Sequence, residues 1–209
     1  MILNKIGEKF GCDKCDQYHT FKGETYFDVY ERYFSRLREE EITFLEFGVR
    51  DGASLAAWLE YFPNARIVGI DIQPECKRVV HDRLSIEIGS QDDPVFVKNI
   101  CEKYGPFDIV LDDASHINEL SIASFNLVSS TVKDGGFYII EDLRNSYEDL
   151  TEDVKHWPGM HLNVETCFDN SKTRKDLDSL LLGIVKDLDY RTSDFRSVNF
   201  HSQMVILQK

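Results

Sequence analysis

No apolar run in this chain of 209 residues approaches the roughly 20 that a membrane-spanning helix needs. Met1 to Phe10 lacks the apolar core of a signal peptide, so the chain reads as soluble and cytoplasmic. Bases are scarce beside acids. The 24 Lys and Arg face 37 Asp and Glu, a net charge of −13, and so acidic a surface repels phosphate backbones and excludes nucleic acid as an expected partner. Five cysteines form an odd, scattered set, which suits reduced thiols better than a disulfide framework. Cys12 and Cys15 make a C-x-x-C near His19, but a zinc site needs a second ligand pair at matching spacing, and none is present. The pair is expected to be two free thiols in a loop. The G-x-G-x-x-G of dinucleotide binders is also missing, which weighs against a nicotinamide enzyme. There is no internal repeat and no Pro/Gly/Ser linker, so residues 1–209 read as one domain, a leader over about 1–40 and a core over about 41–209.

The chain does have 42% hydrophobic and 12% aromatic residues, enough for a substantial core. Tyr26, Phe27, Tyr30, Tyr33, Phe34 and Leu37 are spaced by threes and fours, apart from the adjacent pairs, which predicts a leader helix over Tyr26 to Leu37. Strands are expected at Ile42 to Phe47, Ile67 to Ile72, Leu84 to Ile88, Phe107 to Leu111 and Phe137 to Ile140. Helices are expected between them: Ala53 to Tyr61, Pro74 to Arg83, a segment capped by Asp92, Asp93 and Pro94 that runs through Tyr104, and Ile117 to Val132. Asp134 to Gly136 reads as a turn. Leu143 to His161 is polar and uncommitted, Arg174 to Leu188 reads as a helix, and Val198 to Leu207 as a hairpin around His201 and Ser202. Such alternation with near-continuous apolar strands specifies an α/β fold, a mostly parallel sheet with helices on both faces.

Ligands of open α/β sheets sit beyond the carboxyl ends of the strands. Those ends carry Glu46, Gly48, Arg50, Asp51 and Gly52, then Asp71, then Ser90, Gln91 and Asp92, then Asp112, Asp113, Ser115 and His116, and finally Glu141 and Asp142. Glu46-x-Gly48-x-x-x-Gly52 lets backbone approach a ligand and aims helix-end amides at it, and a ligand without pyrophosphate suits it best. Asp71 is placed to accept hydrogen bonds from ribose hydroxyls, with capping of the next helix as the alternative. Parallel neighbours lie about 4.8 Å apart, so pairing of the fourth and fifth strands would bring Asp113, Glu141 and Asp142 within reach of one ion. Three close carboxylates repel. A proton or a hard divalent cation such as magnesium must neutralise them. His116, three residues beyond Asp113, is placed to act as a general base, with helix capping as its structural alternative.

The runs Phe44-Leu-Glu-Phe-Gly-Val-Arg-Asp-Gly-Ala-Ser54, Ile70-Asp-Ile72, Asp112-Asp-Ala-Ser-His116 and Glu141-Asp-Leu-Arg-Asn-Ser-Tyr147 resemble the S-adenosylmethionine-dependent, metal-dependent macrolide and rhamnosyl O-methyltransferases. The resemblance implies a Rossmann-like class I methyltransferase fold with an antiparallel final strand. It implies a methyl donor along Glu46, Gly48, Gly52, Ser54 and Asp71, with adenine near Ser90, Gln91 and Asp112. It places a magnesium ion on Asp113, Glu141 and Asp142, with Asp113 and His116 as the catalytic pair. A glycan or glycoside acceptor, such as a rhamnose, would be lined by His19, Tyr26 and Tyr147. A catechol-like diol methyltransferase and a non-catalytic Rossmann-like binding domain are the alternatives.

Overall fold

The computed structural model describes residues 2–16, 18–78, 80–154 and 167–209. The later part of the polar stretch, with His156 and His161, lies outside the described residues. Leu3, Ile6 and Gly7 form the buried side of α1 (Ile2–Phe10), an element with no counterpart in the sequence reading. A small hairpin, β1 (Thr20–Phe21) and β2 (Glu24–Thr25), leads into α2 (Tyr26–Phe34). There a capping box starts the helix: the Thr25 hydroxyl accepts from the Asp28 amide, and the Asp28 carboxylate accepts from the Thr25 amide.

The core follows as β3 (Thr43–Phe47), α3 (Ala53–Tyr61), β4 (Arg66–Asp71), β5 (Leu84–Ile88), α4 (Pro94–Tyr104), β6 (Phe107–Asp112), α5 (Asn118–Val128) and β7 (Val132–Ile140). It closes with α6 (Thr151–Val154), α7 (Asn170–Tyr190), β8 (Ser197–His201) and β9 (Met204–Gln208). Seven strands make one sheet in the order β5-β4-β3-β6-β7-β9-β8. The first five are parallel, whereas β9 runs antiparallel between β7 and β8.

Alternation along each strand divides the core between two faces. Phe44, Ile67, Ile109, Phe137 and Ile206 pack with residues of α1, α2 and α3. Leu45, Val68, Val110, Tyr138 and Val205 pack with residues of α4, α5 and α7. No helix among the described residues is long and apolar enough to cross a membrane.

The leader helix expected to reach Leu37 ends at Phe34, with Ser35–Leu37 as a 3₁₀ turn, and three other expected elements differ. Pro74 opens only a 3₁₀ turn, Pro74–Arg78, in which Cys76 alone is buried, too small an apolar face to carry the expected helix to Arg83. The helix expected to reach Val132 ends at Val128, where Ser129–Thr131 tighten into a 3₁₀ turn and the Thr131 hydroxyl donates to the Val128 carbonyl at 2.7 Å. Asp134 to Gly136, expected as a turn, lies inside β7, and the β6–β7 register shifts between Phe107 and Ile109 to absorb it.

Candidate functional site

A cavity of about 840 Å³ opens beyond the carboxyl ends of β3, β4, β5, β6 and β7. Its floor is the loop from Phe47 to Ser54. Gly48 adopts φ +92°, and a Cβ there would stand 2.1 Å from the carbonyl oxygen of Asp113, so only glycine lets the β3 and β6 loops touch. Gly52, at φ +84°, is the residue before α3, whose first turn therefore faces the cavity through Ala53 and Ser54. Asp71 holds the loop from the next strand. One of its oxygens accepts from the Val49 amide at 2.8 Å and the Arg50 amide at 3.0 Å, and the other from the Gln73 amide at 2.8 Å. Asp71 is half-buried and lines the cavity, so it fixes the loop and faces the same space.

The acidic ends of β6 and β7 meet beside this loop, on the wall of the same cavity. His116 Nε2 lies 3.5 Å from Asp142 Oδ2 and 3.9 Å from Asp113 Oδ1. One ligand atom from each of these three residues falls within 4.8 Å of the others, a donor set able to hold a cation. His116 at φ +55° and Asp142 at φ +53° are both left-handed, as is Arg50 at φ +51°, and all three line the cavity. Such conformations are costly for residues with a Cβ and persist where surrounding structure enforces them.

At His116 the supporting structure is a pair of buried asparagines. Asn170 donates through Nδ2 to the His116 carbonyl at 2.7 Å and the Asn145 carbonyl at 2.8 Å. Asn118 donates its amide to Asn170 Oδ1 at 3.0 Å and its Nδ2 to the Asn170 carbonyl at 3.0 Å. The residue that flanks α5 is Ile117, which makes no side-chain cap, so His116 is not a helix cap.

A largely buried ionic cluster forms part of the cavity wall. Lys14, 2% exposed, donates from Nζ to Asp113 Oδ2 and to Glu141 Oε2. The other Glu141 oxygen accepts from the Tyr30 hydroxyl, and Asp142 Oδ1 accepts from the Tyr26 hydroxyl at 2.8 Å. Burial alone would lower the pKa of the Lys14 ammonium, but Asp113, Glu141 and Glu46 outweigh it and hold the group well above the ordinary lysine range. Burial and the neighbouring Asp113 push Glu141 up despite Lys14. Glu46 is fully buried; Trp58 Nε1 donates to its Oε2 at 3.0 Å, and its Oε1 has no hydrogen-bond partner among the described residues. Burial pushes the Glu46 carboxyl up to about 8, with Lys14 opposing.

Gly48, Ser54, Asp71, Ser90, Gln91, Asp113, His116, Glu141, Asp142 and His19 all line the cavity. His19 Nε2 stands 3.7 Å from Asp142 Oδ1. Tyr26 is buried behind Asp142 and does not line the cavity wall. Asp112, expected near adenine, faces away. Strand parity sends its side chain to the α5 side, where it accepts from Ser124 Oγ at 2.6 Å and Gln91 Nε2 at 3.1 Å. Gln91 Oε1 is engaged as well, by the Ser115 amide, and the Ser90 hydroxyl donates to Asp92. Tyr147, expected at the acceptor, is 60% exposed outside the cavity, with the Arg174 guanidinium 4.2 Å from its ring centre. Glu46 lies beneath the floor and not on it, since it shares the sheet face of Phe44 under α3. Lys14, Tyr30, Asn118 and Asn170 were absent from the expected set. Cys12 and Cys15 are free thiols, Cys12 buried, and Cys15 Sγ donates to the Cys12 carbonyl at 2.9 Å.

No family model matches the chain. Among curated proteins, it is 37% identical over 152 residues to the 8-demethyl-8-(2-methoxy-alpha-L-rhamnosyl)-tetracenomycin-C 3'-O-methyltransferase of Streptomyces olivaceus, covering 69% of this chain and 37% of that protein. It is 34% identical over 193 residues to the demethylmacrocin O-methyltransferase of Streptomyces fradiae, covering 89% of this chain and 43% of that protein. The chain therefore spans about two fifths of the length of the curated relatives it matches. A solved structure of the MycE methyltransferase from mycinamycin biosynthesis, in complex with Mg, SAH and mycinamycin VI, superposes with TM-score 0.78 at 27% identity, covering 99% of this chain and 54% of that one. A caffeoyl-CoA O-methyltransferase-like structure from Staphylococcus aureus shares the fold at TM-score 0.60 and 14% identity, covering 87% of this chain and 81% of that one.

Proposed function

We propose, for a chain homologous to the sugar O-methyltransferases and built on the class I methyltransferase fold, that it methylates a sugar hydroxyl with S-adenosylmethionine and a divalent cation, magnesium. The acceptor is a deoxyhexose such as rhamnose on a glycan or glycoside, in keeping with relatives named for rhamnosyl and olivosyl polyketides. The observation that carries this reading is the meeting of Asp113, Asp142 and His116 on the wall of a cavity whose floor is the glycine loop. Fold alone would not carry it.

The donor is assigned to the floor, where Gly48 removes the side chain that would close it and Asp71 faces the space reserved for ribose. Transfer forms an oxygen–carbon bond as the sulfonium–carbon bond breaks, and the acceptor hydroxyl must lose its proton. His116, on the cavity wall, takes that proton at Nε2, the atom beside Asp142 and Asp113. Asp113, Glu141 and Asp142 would hold the cation, whose charge lowers the pKa of a nearby sugar hydroxyl. His19, which lines the cavity 3.7 Å from Asp142 Oδ1, is assigned to the acceptor pocket.

A second reading is favoured by one distance. His116 Nε2 is close enough to both carboxylates to be a third ligand in place of Glu141, whose oxygens are taken by Lys14 and Tyr30.

The test incubates the protein with labelled methyl donor and a panel of simple glycosides, with and without magnesium, beside His116→Ala. A base role lowers kcat by about 10²- to 10⁴-fold with metal affinity and S-adenosylhomocysteine affinity retained. Loss of metal binding instead makes His116 a ligand. Full turnover in chelator removes the cation from the scheme.

A further inference from the structure

The N-terminal segment carries a feature that the proposed transfer does not use. Lys14 sits in a 3₁₀ turn, Asp13–Cys15, between α1 and the small hairpin, yet its side chain reaches the ends of β6 and β7. Asp13 and His19, on either side, also line the cavity, and Asp13 pairs with Arg50 of the glycine loop at 2.8 Å. Four carboxyl groups surround or face this region: Asp113 and Glu141 in contact with the ammonium, Asp142 beside His116, and Glu46 below with one oxygen unpartnered among the described residues. A buried charge left without compensation is expensive, and one ammonium cannot neutralise the three carboxylates that line the cavity, Asp113, Glu141 and Asp142.

We propose that Lys14 is a resident counter-cation of this site, sharing Asp113 with the divalent ion and holding Glu141 beside it, so that the ion binds against a fixed positive charge. The inference rests on the acid cluster being an ion site. Lys14 thereby acts as a positioning residue. It turns one oxygen of Asp113 and one of Glu141 toward the N-terminal segment, leaving Asp113 Oδ1 and Asp142 Oδ2 toward the cavity. It also lowers the affinity of the site for the ion, because like charges a few ångströms apart repel strongly in a buried setting. Binding is reciprocal. Whatever weakens the grip of Lys14 on the two acids strengthens that of the ion, and the reverse.

The experiment is a calorimetric titration of the full chain, stripped of metal, with Mn²⁺ alone, for wild type, Lys14→Met and Lys14→Arg. Lys14→Met keeps the length of the side chain and removes the charge, and it should tighten Mn²⁺ binding by about tenfold or more. Its melting temperature should fall below wild type without Mn²⁺, and the gap should close as Mn²⁺ is added. Lys14→Arg, whose planar fork claims more carboxylate oxygens, should bind Mn²⁺ more weakly than wild type. Unchanged or weaker binding by Lys14→Met overturns the proposal and leaves the ion site standing. Should Lys14→Met fail to fold, Lys14→Arg binding as tightly as wild type, or tighter, overturns it. Absence of Mn²⁺ binding by every form at millimolar concentration removes the ion site, and the counter-cation with it.

Discussion

Glu46 is a carboxyl sealed beneath the glycine loop, fully buried, with Trp58 donating to one oxygen. Burial raises its pKa from the ordinary 4.5 to about 8, against the pull of Lys14. In the unfolded chain the carboxyl ionises near its ordinary value, so between those two values the folded state holds more protons than the unfolded one. Stability must therefore fall as pH rises through that window, and the loss is complete only above about pH 8. Glu46→Gln has no proton to lose and keeps an acceptor oxygen for Trp58. Integrated from about pH 5 to about pH 7, the wild type should lose about 2.5 kcal/mol relative to Glu46→Gln. For a chain of this size that is roughly 5 to 10 °C in Tm. Differential scanning calorimetry of both forms across the window, in buffer free of metal, reads the difference directly. Groups that titrate alike in the two proteins cancel. Parallel Tm profiles would refute the reasoning, because they would mean that Glu46 is ionised in the folded chain across the whole window.

Two further outcomes follow from the loops. Gly48→Ala should cost roughly 2 to 4 kcal/mol and abolish S-adenosylhomocysteine binding, because its Cβ would meet the Asp113 carbonyl at 2.1 Å in a backbone at φ +92°. Urea unfolding and calorimetric titration measure the two effects, and retention of wild-type affinity would show that the loop is not the floor of a donor site. Asn170→Ala should destabilise the fold by about 3 kcal/mol, since it strips partners from the His116 and Asn145 carbonyls and from Asn118. It should also lower kcat more than it raises KM for the sugar; a change in stability alone would make Asn170 a support of α7 and not of His116.

Period-two alternation made most of the sheet legible. Ile109 and Leu111 pack with one core cluster and Val110 with the other, and the strand boundaries expected at β5, and at β3 and β6 to within a residue, follow from such runs. The same rule, carried one residue past Leu111, places Asp112 on the face of Val110, under α5, and leaves Asp113 for the cavity. Parity is available in the sequence, and the placing of Asp112 near adenine overlooks it. Pro74 shows the opposite failure. A proline at a first turn favours helix locally, but the following residues offer no continuous apolar face, and tertiary packing left a single 3₁₀ turn. At Asp134 to Gly136 two adjacent glycines look like a turn, yet Gly136 stands where a Cβ would come within 2.6 Å of the Asp108 carbonyl, so there the glycine serves close strand packing.

Lys14 was beyond reach of any such rule. Parity, capping and periodicity all describe a residue relative to its own element, whereas Lys14 is defined by acids 99 and 127 positions further along the chain. Its immediate surroundings, Cys12 to Asp16, read as a polar loop in which a lysine is ordinarily solvated. What the acid cluster did announce was a shortage of positive charge: three carboxylates at adjacent strand ends require a cation. That requirement names a charge and a place without naming its source. A lysine from a distant segment and a divalent ion both meet it, and in this fold the carboxylate oxygens divide between them. Asp113 Oδ2 and Glu141 Oε2 turn to the ammonium, while Asp113 Oδ1 and Asp142 Oδ2 face His116 and the cavity. A chain that placed all its compensation in Lys14 would have no call for an ion, and one that relied on the ion alone would leave three carboxylates uncompensated whenever the ion left. Splitting the duty keeps the site folded when empty and still short of positive charge.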